Sequence, residues 1–192
     1  MAKLEQGTLT LDNGCVYEGE LLNGECHGLG TLTHPEGFRY EGQFKNGLPH
    51  GKGAASFPSG GSVEGQFKNG GTHGEGILIS PDGDRYEGQF KNDIQNGLGT
   101  YKWSDGRIHE GEFKDGKPHG KGKYTMSDGR YFEGEFKKGK ETKKGKYFWK
   151  DGTEYIEEEK KSGITITKEM LSESEEDGDA PQLTDRERKK LL

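Results

Sequence analysis

Large apolar side chains are scarce in this 192-residue chain: leucine, isoleucine, valine and phenylalanine together supply about 17% of it, a share that by itself falls in the disordered range. Apolar runs are short, Ile77, Leu78 and Ile79 being typical, which excludes a transmembrane helix and a secretory hydrophobic stretch after Met1. A soluble, cytoplasmic protein is expected. Only two cysteines occur, Cys15 and Cys26, without CxxC spacing; this excludes a zinc framework and leaves two reduced thiols as the expectation. An excess of basic charge is missing too: the formal net charge is -6 and the pI near 5.6, which opposes nucleic-acid binding. Glycine, by contrast, is abundant at 34 residues, and aromatics reach 10%. Composition leaves order and disorder open, so the arrangement along the chain must decide.

Tyr17-Glu18-Gly19-Glu20 returns 23 residues later as Tyr40-Glu41-Gly42-Gln43-Phe44, and the interval then holds. The further copies are Val63-Glu64-Gly65-Gln66-Phe67, Tyr86-Glu87-Gly88-Gln89-Phe90, His109-Glu110-Gly111-Glu112-Phe113 and Phe132-Glu133-Gly134-Glu135-Phe136, with a decayed one at Tyr155 to Glu159. Two glycine columns keep the same register, one beginning at Gly14 and one at Gly30. The first is mostly preceded by Asp or Asn, as at Asn13 and Asp82, a pairing that tolerates positive φ and signals a hairpin.

Strands on both sides of that turn alternate with period two. Tyr17, Gly19 and Leu21 share one face and Glu18 and Glu20 the other, while the preceding strands place Leu9, Leu11, Leu32, Phe57, Leu78, Tyr101, Trp103, Tyr124, Tyr147 and Trp149 on the apolar side. The expected fold is all-β: a single-layer antiparallel β-hairpin repeat solenoid, an elongated twisted trough with a short C-terminal tail or helix. Seven hairpins over residues 7–160 would give fourteen strands and a sheet of about 65 Å. Right-handed twist would coil it, with the apolar face expected inside the trough and the carboxylates outside. Residues 1–6 are expected to cap the array, 161–168 to add a closing strand, and 169–192 to form an acidic flexible tail. A capping box of Thr184 and Glu187 points to a short helix over 185–191.

The unit Tyr-Glu-Gly-Gln-Phe-Lys-Asn-Gly, then His-Gly-x-Gly, then Asp-Gly, at a period of 23, resembles the MORN (membrane occupation and recognition nexus) repeat over residues 7–160. Val63 and His109 depart from its tyrosine, Asn96 from its histidine, and Thr142-Lys143 from its His-Gly pair. The resemblance implies several settings, among them junctophilins at membrane junctions, plant phosphoinositide kinases, a lysine methyltransferase, and cytoskeletal and ciliary scaffolds. Only the last class fits a chain that is nearly all repeat.

Among candidate sites, His27, His50, His73 and His119 stand two strands, about 10 Å, apart, too far to share a zinc that each must approach within about 2.1 Å. They read as turn-stabilising residues. The same spacing keeps Glu18, Glu41, Glu64, Glu87, Glu110 and Glu133 from acting as paired acid and base, so they read as a solvated ladder. No nucleophile elbow or phosphate loop is present, since Gly51-Lys52-Gly53 lacks the flanking residues. No catalytic residue, metal or cofactor is expected.

Two surfaces remain. An aromatic trough of Tyr40, Phe44, Phe67, Tyr86, Phe90, Trp103, Phe113, Phe136 and Trp149 is expected to stay partly open and to receive an extended or helical protein segment. A row of Lys45, Lys68, Lys91, Lys114 and Lys137 could meet anionic lipid, at about 1 kcal/mol per lysine. Ser172 and Ser174, in an acidic run, are candidate acceptors for an acidophilic kinase. The function expected is a non-catalytic scaffold or adaptor in a cytoskeletal, ciliary or flagellar assembly. The alternatives are a membrane or phosphoinositide tether using the lysine row, and an accessory to an enzyme encoded elsewhere.

Overall fold

The computed structural model describes residues 4–154. Thirteen strands run in chain order through one antiparallel sheet, each hydrogen-bonded only to its sequence neighbours. They are β1 (Leu4–Thr10), β2 (Val16–Leu22), β3 (Glu25–Thr33), β4 (Arg39–Lys45), β5 (Leu48–Ser56), β6 (Ser62–Lys68), β7 (Gly71–Ile79), β8 (Arg85–Lys91), β9 (Ile94–Lys102), β10 (Ile108–Lys114), β11 (Lys117–Thr125), β12 (Tyr131–Lys137) and β13 (Lys140–Phe148). At about 4.8 Å per strand the sheet extends about 58 Å. Glu154 bridges Phe148 and opens the next pairing. Strand β1 begins at Leu4, so Leu4, Glu5 and Gln6 belong to the first strand rather than to a separate cap. The decayed copy from Tyr155, the closing strand over 161–168, and the tail with Ser172, Ser174 and the helix over 185–191 lie outside the described residues.

Two kinds of turn alternate. In the glycine column beginning at Gly14, Phe57 N donates to Gly61 O and Gly60 N to Phe57 O, both at 2.9 Å. Gly60 at φ 97 takes the left-handed position of a three-residue hairpin loop. The second kind is a two-residue turn such as Asn46-Gly47, with φ of 52 and 79, between the paired Lys45 and Leu48. Positive φ at both positions matches the twist of the flanking strands. Every strand is therefore joined to the next by a short hairpin.

Strands after the two-residue turn have nine residues and those before it seven from β2 onward, and the surplus forms a bulge. Gly42 pairs Gly53 but Phe44 pairs Pro49, leaving His50, Gly51 and Lys52 opposite Gln43 alone. The Lys52 amide donates to Gln43 Oε1 at 2.8 Å, and Glu20, Gln89 and Glu112 accept likewise from Leu29, Leu98 and Lys121. The histidines expected at turns thus sit in strand bulges. In the last copy Thr142-Lys143 replaces His-Gly, and the Thr142 hydroxyl takes the Lys144 amide instead.

What holds a single sheet together is a ring set into a notch. Tyr40 lies across Gly42 and Gly53, where a Cβ on Gly53 would stand 2.2 Å from the phenol oxygen. The same oxygen donates to the Gln43 carbonyl at 3.0 Å, as Tyr17 does to Glu20 at 2.7 Å and Tyr86 to Gln89 at 2.9 Å. Tyr40 is flanked edge-on by Phe44 at 5.1 Å and by Phe67 of the next copy at 4.9 Å, Tyr86 likewise by Phe90 and Phe113 at 5.0 Å, and Tyr17 by Phe44 of the next copy at 4.8 Å. Such pairs contribute about 0.5–1.5 kcal/mol each beyond burial, and here they couple one repeat to the next.

Candidate functional site

The ring-in-notch packing closes the aromatic face. Tyr40 and Tyr86 are fully buried, and Phe44, Phe67, Phe90, Phe113 and Phe136 are 3–5% exposed. Trp103 is half-buried against Tyr101 at 4.3 Å, with the Arg107 guanidinium 5.2 Å over its ring, and Trp149 is also half-buried. The expected open aromatic trough is therefore corrected: the rings lie down over glycine backbone and cover one another, leaving no continuous apolar stripe.

Curvature is corrected as well. A groove of about 910 Å³ runs over the carboxylate face from β1 to β7, and a second of about 470 Å³ from β10 to β13. The layer of rings needs more room than the short side chains opposite, so the sheet bends away from it and the carboxylates line the hollow. Gly19, Gly30, Gly42, Gly53 and Gly65 form the floor of the larger groove. Glu18, Glu41, Glu64 and Glu75 line it against Lys52, the one basic lining residue among those described, whereas the smaller groove sets three glutamates against Lys121, Lys123 and Lys144. The hollow is acidic at its N-terminal end and balanced at its C-terminal end.

Arg39 meets Glu41 at 2.5 Å and Arg85 meets Glu87 at 2.6 Å, both pairs in solvent and worth at most about 1 kcal/mol. Val16 and Ser62 occupy the arginine position beside Glu18 and Glu64, and neither glutamate forms an ion pair among the described residues. Leu29 and Leu98, 62% and 63% exposed, stand on this same face. Among the described residues no cluster of His, Cys, Asp and Glu is arranged to hold a metal.

Alternation places Lys45 on the carboxylate side, two positions beyond Gln43, and Lys68, Lys91, Lys114 and Lys137 repeat it. All five are exposed and form a row along the rim beside the two-residue turns. Cys15 and Cys26 are buried and form no disulfide, and burial pushes Cys26 up from its usual value.

The profile of the MORN repeat matches six segments, 17–39, 40–62, 64–85, 86–106, 109–129 and 132–154. The chain belongs to the MORN-repeat family. MORN repeats are modules for interaction with proteins and membranes. Comparison with curated proteins gives no match. Two solved structures are similar in part. One is the SAS-4 (dCPAP) TCP domain of Drosophila melanogaster in complex with a proline-rich motif of Ana2 (dSTIL), at 9% identity and TM-score 0.45, covering 78% of this chain and 75% of that one. The other is the TCP10 domain of Danio rerio CPAP, at 15% identity and TM-score 0.27, covering 81% and 93%.

His109 takes the tyrosine's place in one MORN repeat and is fully buried, edge-on to Phe113 at 5.2 Å and Phe136 at 4.6 Å. Neither ring nitrogen completes a hydrogen bond of good geometry, although the Glu112 carbonyl lies near enough to act on the ring. Burial holds the imidazole down at about 4, with the Glu112 carbonyl pulling the other way. Phe132 also replaces the tyrosine and keeps a ring over Gly134 and Gly145, whereas Val63 interrupts the ladder of rings between Phe67 and Phe90.

Proposed function

We propose that this MORN-repeat chain is a non-catalytic scaffold that holds a protein partner in the groove of its carboxylate face. The observation that carries this reading is the division of labour between the faces. One side is consumed by ring packing, and the other offers a glycine-floored hollow with the unpaired carboxylates of Glu18 and Glu64 and the exposed Leu29, while Leu98 stands exposed on the same face between the two grooves. A cytoskeletal or ciliary assembly is the setting proposed, on the resemblance of these repeats to those of cytoskeletal and ciliary scaffolds. The test is site-specific photo-crosslinking in cells of its native source. Crosslinkers at Leu29 and Leu98 should capture one partner, and crosslinkers at the exposed loop residues Pro58 and Pro81 should not. Capture from the loops alone would remove the groove from consideration.

A second reading, a tether to anionic membranes, is favoured by the exposed row of Lys45, Lys68, Lys91, Lys114 and Lys137. Sedimentation with phosphatidylserine and phosphoinositide vesicles at low salt checks it. Binding that disappears when the five lysines are changed to glutamine supports the tether, and no sedimentation excludes it.

A further inference from the structure

The carboxylates of the acidic end come at a fixed interval. Glu18 pairs with Thr31, Thr31 with Glu41, Glu41 with Ala54 and Ala54 with Glu64, so one row crosses five strands with an acid on every second one. Strands in a sheet lie about 4.7–4.9 Å apart, which puts the backbone positions of successive acids about 9.4–9.8 Å apart along the groove. A partner segment lying in the groove crosses the strands, and its cationic groups must recur at that interval. An extended β segment repeats on one side about every 6.6–6.8 Å. An α-helix returns to the same side after seven residues, about 10.5 Å. Polyproline II has three residues per turn and rises about 3.1 Å per residue, a repeat of about 9.3 Å. Between Glu18 and Glu64 a polyproline II segment stays within about 1 Å of register and a helix runs about 2 Å out, while a β segment meets both end positions but misses the middle one, Glu41, by about 3 Å.

We propose that the Glu18–Glu64 end of the groove holds a polyproline II segment of a partner protein with lysine or arginine at every third residue. The inference rests on the reading of the groove as the partner-binding face and names what binds there. Charge restricts it to this end, because Lys121, Lys123 and Lys144 in the C-terminal groove repel a row of cations. The flat glycine floor accepts proline rings between the basic residues, and Leu29 adds apolar contact. Polyproline II is already extended in the free chain and has no internal hydrogen bonds, so little ordering opposes binding.

Fluorescence anisotropy with the full chain at physiological salt tests this. The probes are a labelled peptide of six Pro-Pro-Arg units and a peptide of identical composition with its arginines in one block. The regular peptide should bind at least tenfold more tightly. The triple variant Glu18→Gln, Glu41→Gln, Glu64→Gln should lose at least tenfold in affinity for it, and Glu110→Gln with Glu133→Gln should lose less than twofold. These glutamates are exposed, and circular dichroism verifies that the variants fold. Equal affinity for both peptides, binding by neither, or indifference to the triple variant would overturn the proposal. The groove reading is scored separately by the crosslinks from Leu29 and Leu98. A partner captured there, with no preference for the regular peptide, leaves the groove in place and removes only its polyproline occupant.

Discussion

Replacing His109 by tyrosine should remove a stability loss that the native chain suffers on mild acidification. The imidazole is buried between Phe113 and Phe136 and titrates near 4, against an ordinary value near 6.5 in the unfolded chain. Between these values the unfolded state binds more protons than the folded one, so stability rises with pH through this window and is lost as pH falls through it. The full span corresponds to about 3 kcal/mol, of which about 2 kcal/mol is gone by pH 5. Tyrosine fits because the notch is already there: Gly111 pairs with Gly122, and elsewhere in the chain the phenol reaches the carbonyl three residues on. Urea unfolding of both proteins at pH 7.5, 6, 5 and 4.5 measures the effect, and the carboxylates common to both cancel in the difference. His109→Tyr should be the more stable at pH 7.5, and its advantage should grow by about 2 kcal/mol at pH 5. A difference independent of pH would refute the assignment of a buried neutral imidazole.

Other substitutions probe the notches and turns. Gly53→Ala places a methyl group 2.2 Å from the Tyr40 oxygen, so the ring must leave its seat, at a cost of about 1–3 kcal/mol in urea unfolding, while exposed Lys52→Ala should change little. Gln43→Ala deprives the Lys52 amide of its acceptor, and hydrogen exchange at that amide should accelerate with a stability loss of about 1 kcal/mol or less. Lys138 sits at φ 53 in a turn where other copies carry asparagine or aspartate, so Lys138→Asn should raise the unfolding midpoint.

Much of the architecture was legible because the repeat never slips. A period of 23 with Tyr, Gly and Phe alternating against Glu assigns both faces of every strand, and Tyr17 and Leu32 are buried while Glu18 and Glu41 are exposed, as expected. The second hairpin was missed although its signal was present: Asn46-Gly47 and its equivalents follow the Phe-Lys pair and meet the demand for two positive φ values. The bulge was harder to see, since two surplus residues around His50 show only once the register is known. Curvature was not legible, because it depends on the thickness of the ring layer relative to the opposite side chains rather than on alternation. The aromatic trough failed for a related reason. A tyrosine two positions from a glycine says that a ring can lie down, but only the cross-strand pairing of Gly42 with Gly53 makes the notch wide enough to hide it.

Hydroxyl-radical footprinting of the free chain in solution tests the central claim most directly, because aromatic rings are intrinsically more reactive than leucine and the structure inverts that order. Tyr40, Phe44, Phe67 and Tyr86 should be protected while Leu29 and Leu98 are oxidised. Ready oxidation of those rings, with Leu29 and Leu98 spared, would put the open groove on the aromatic side and contradict the account.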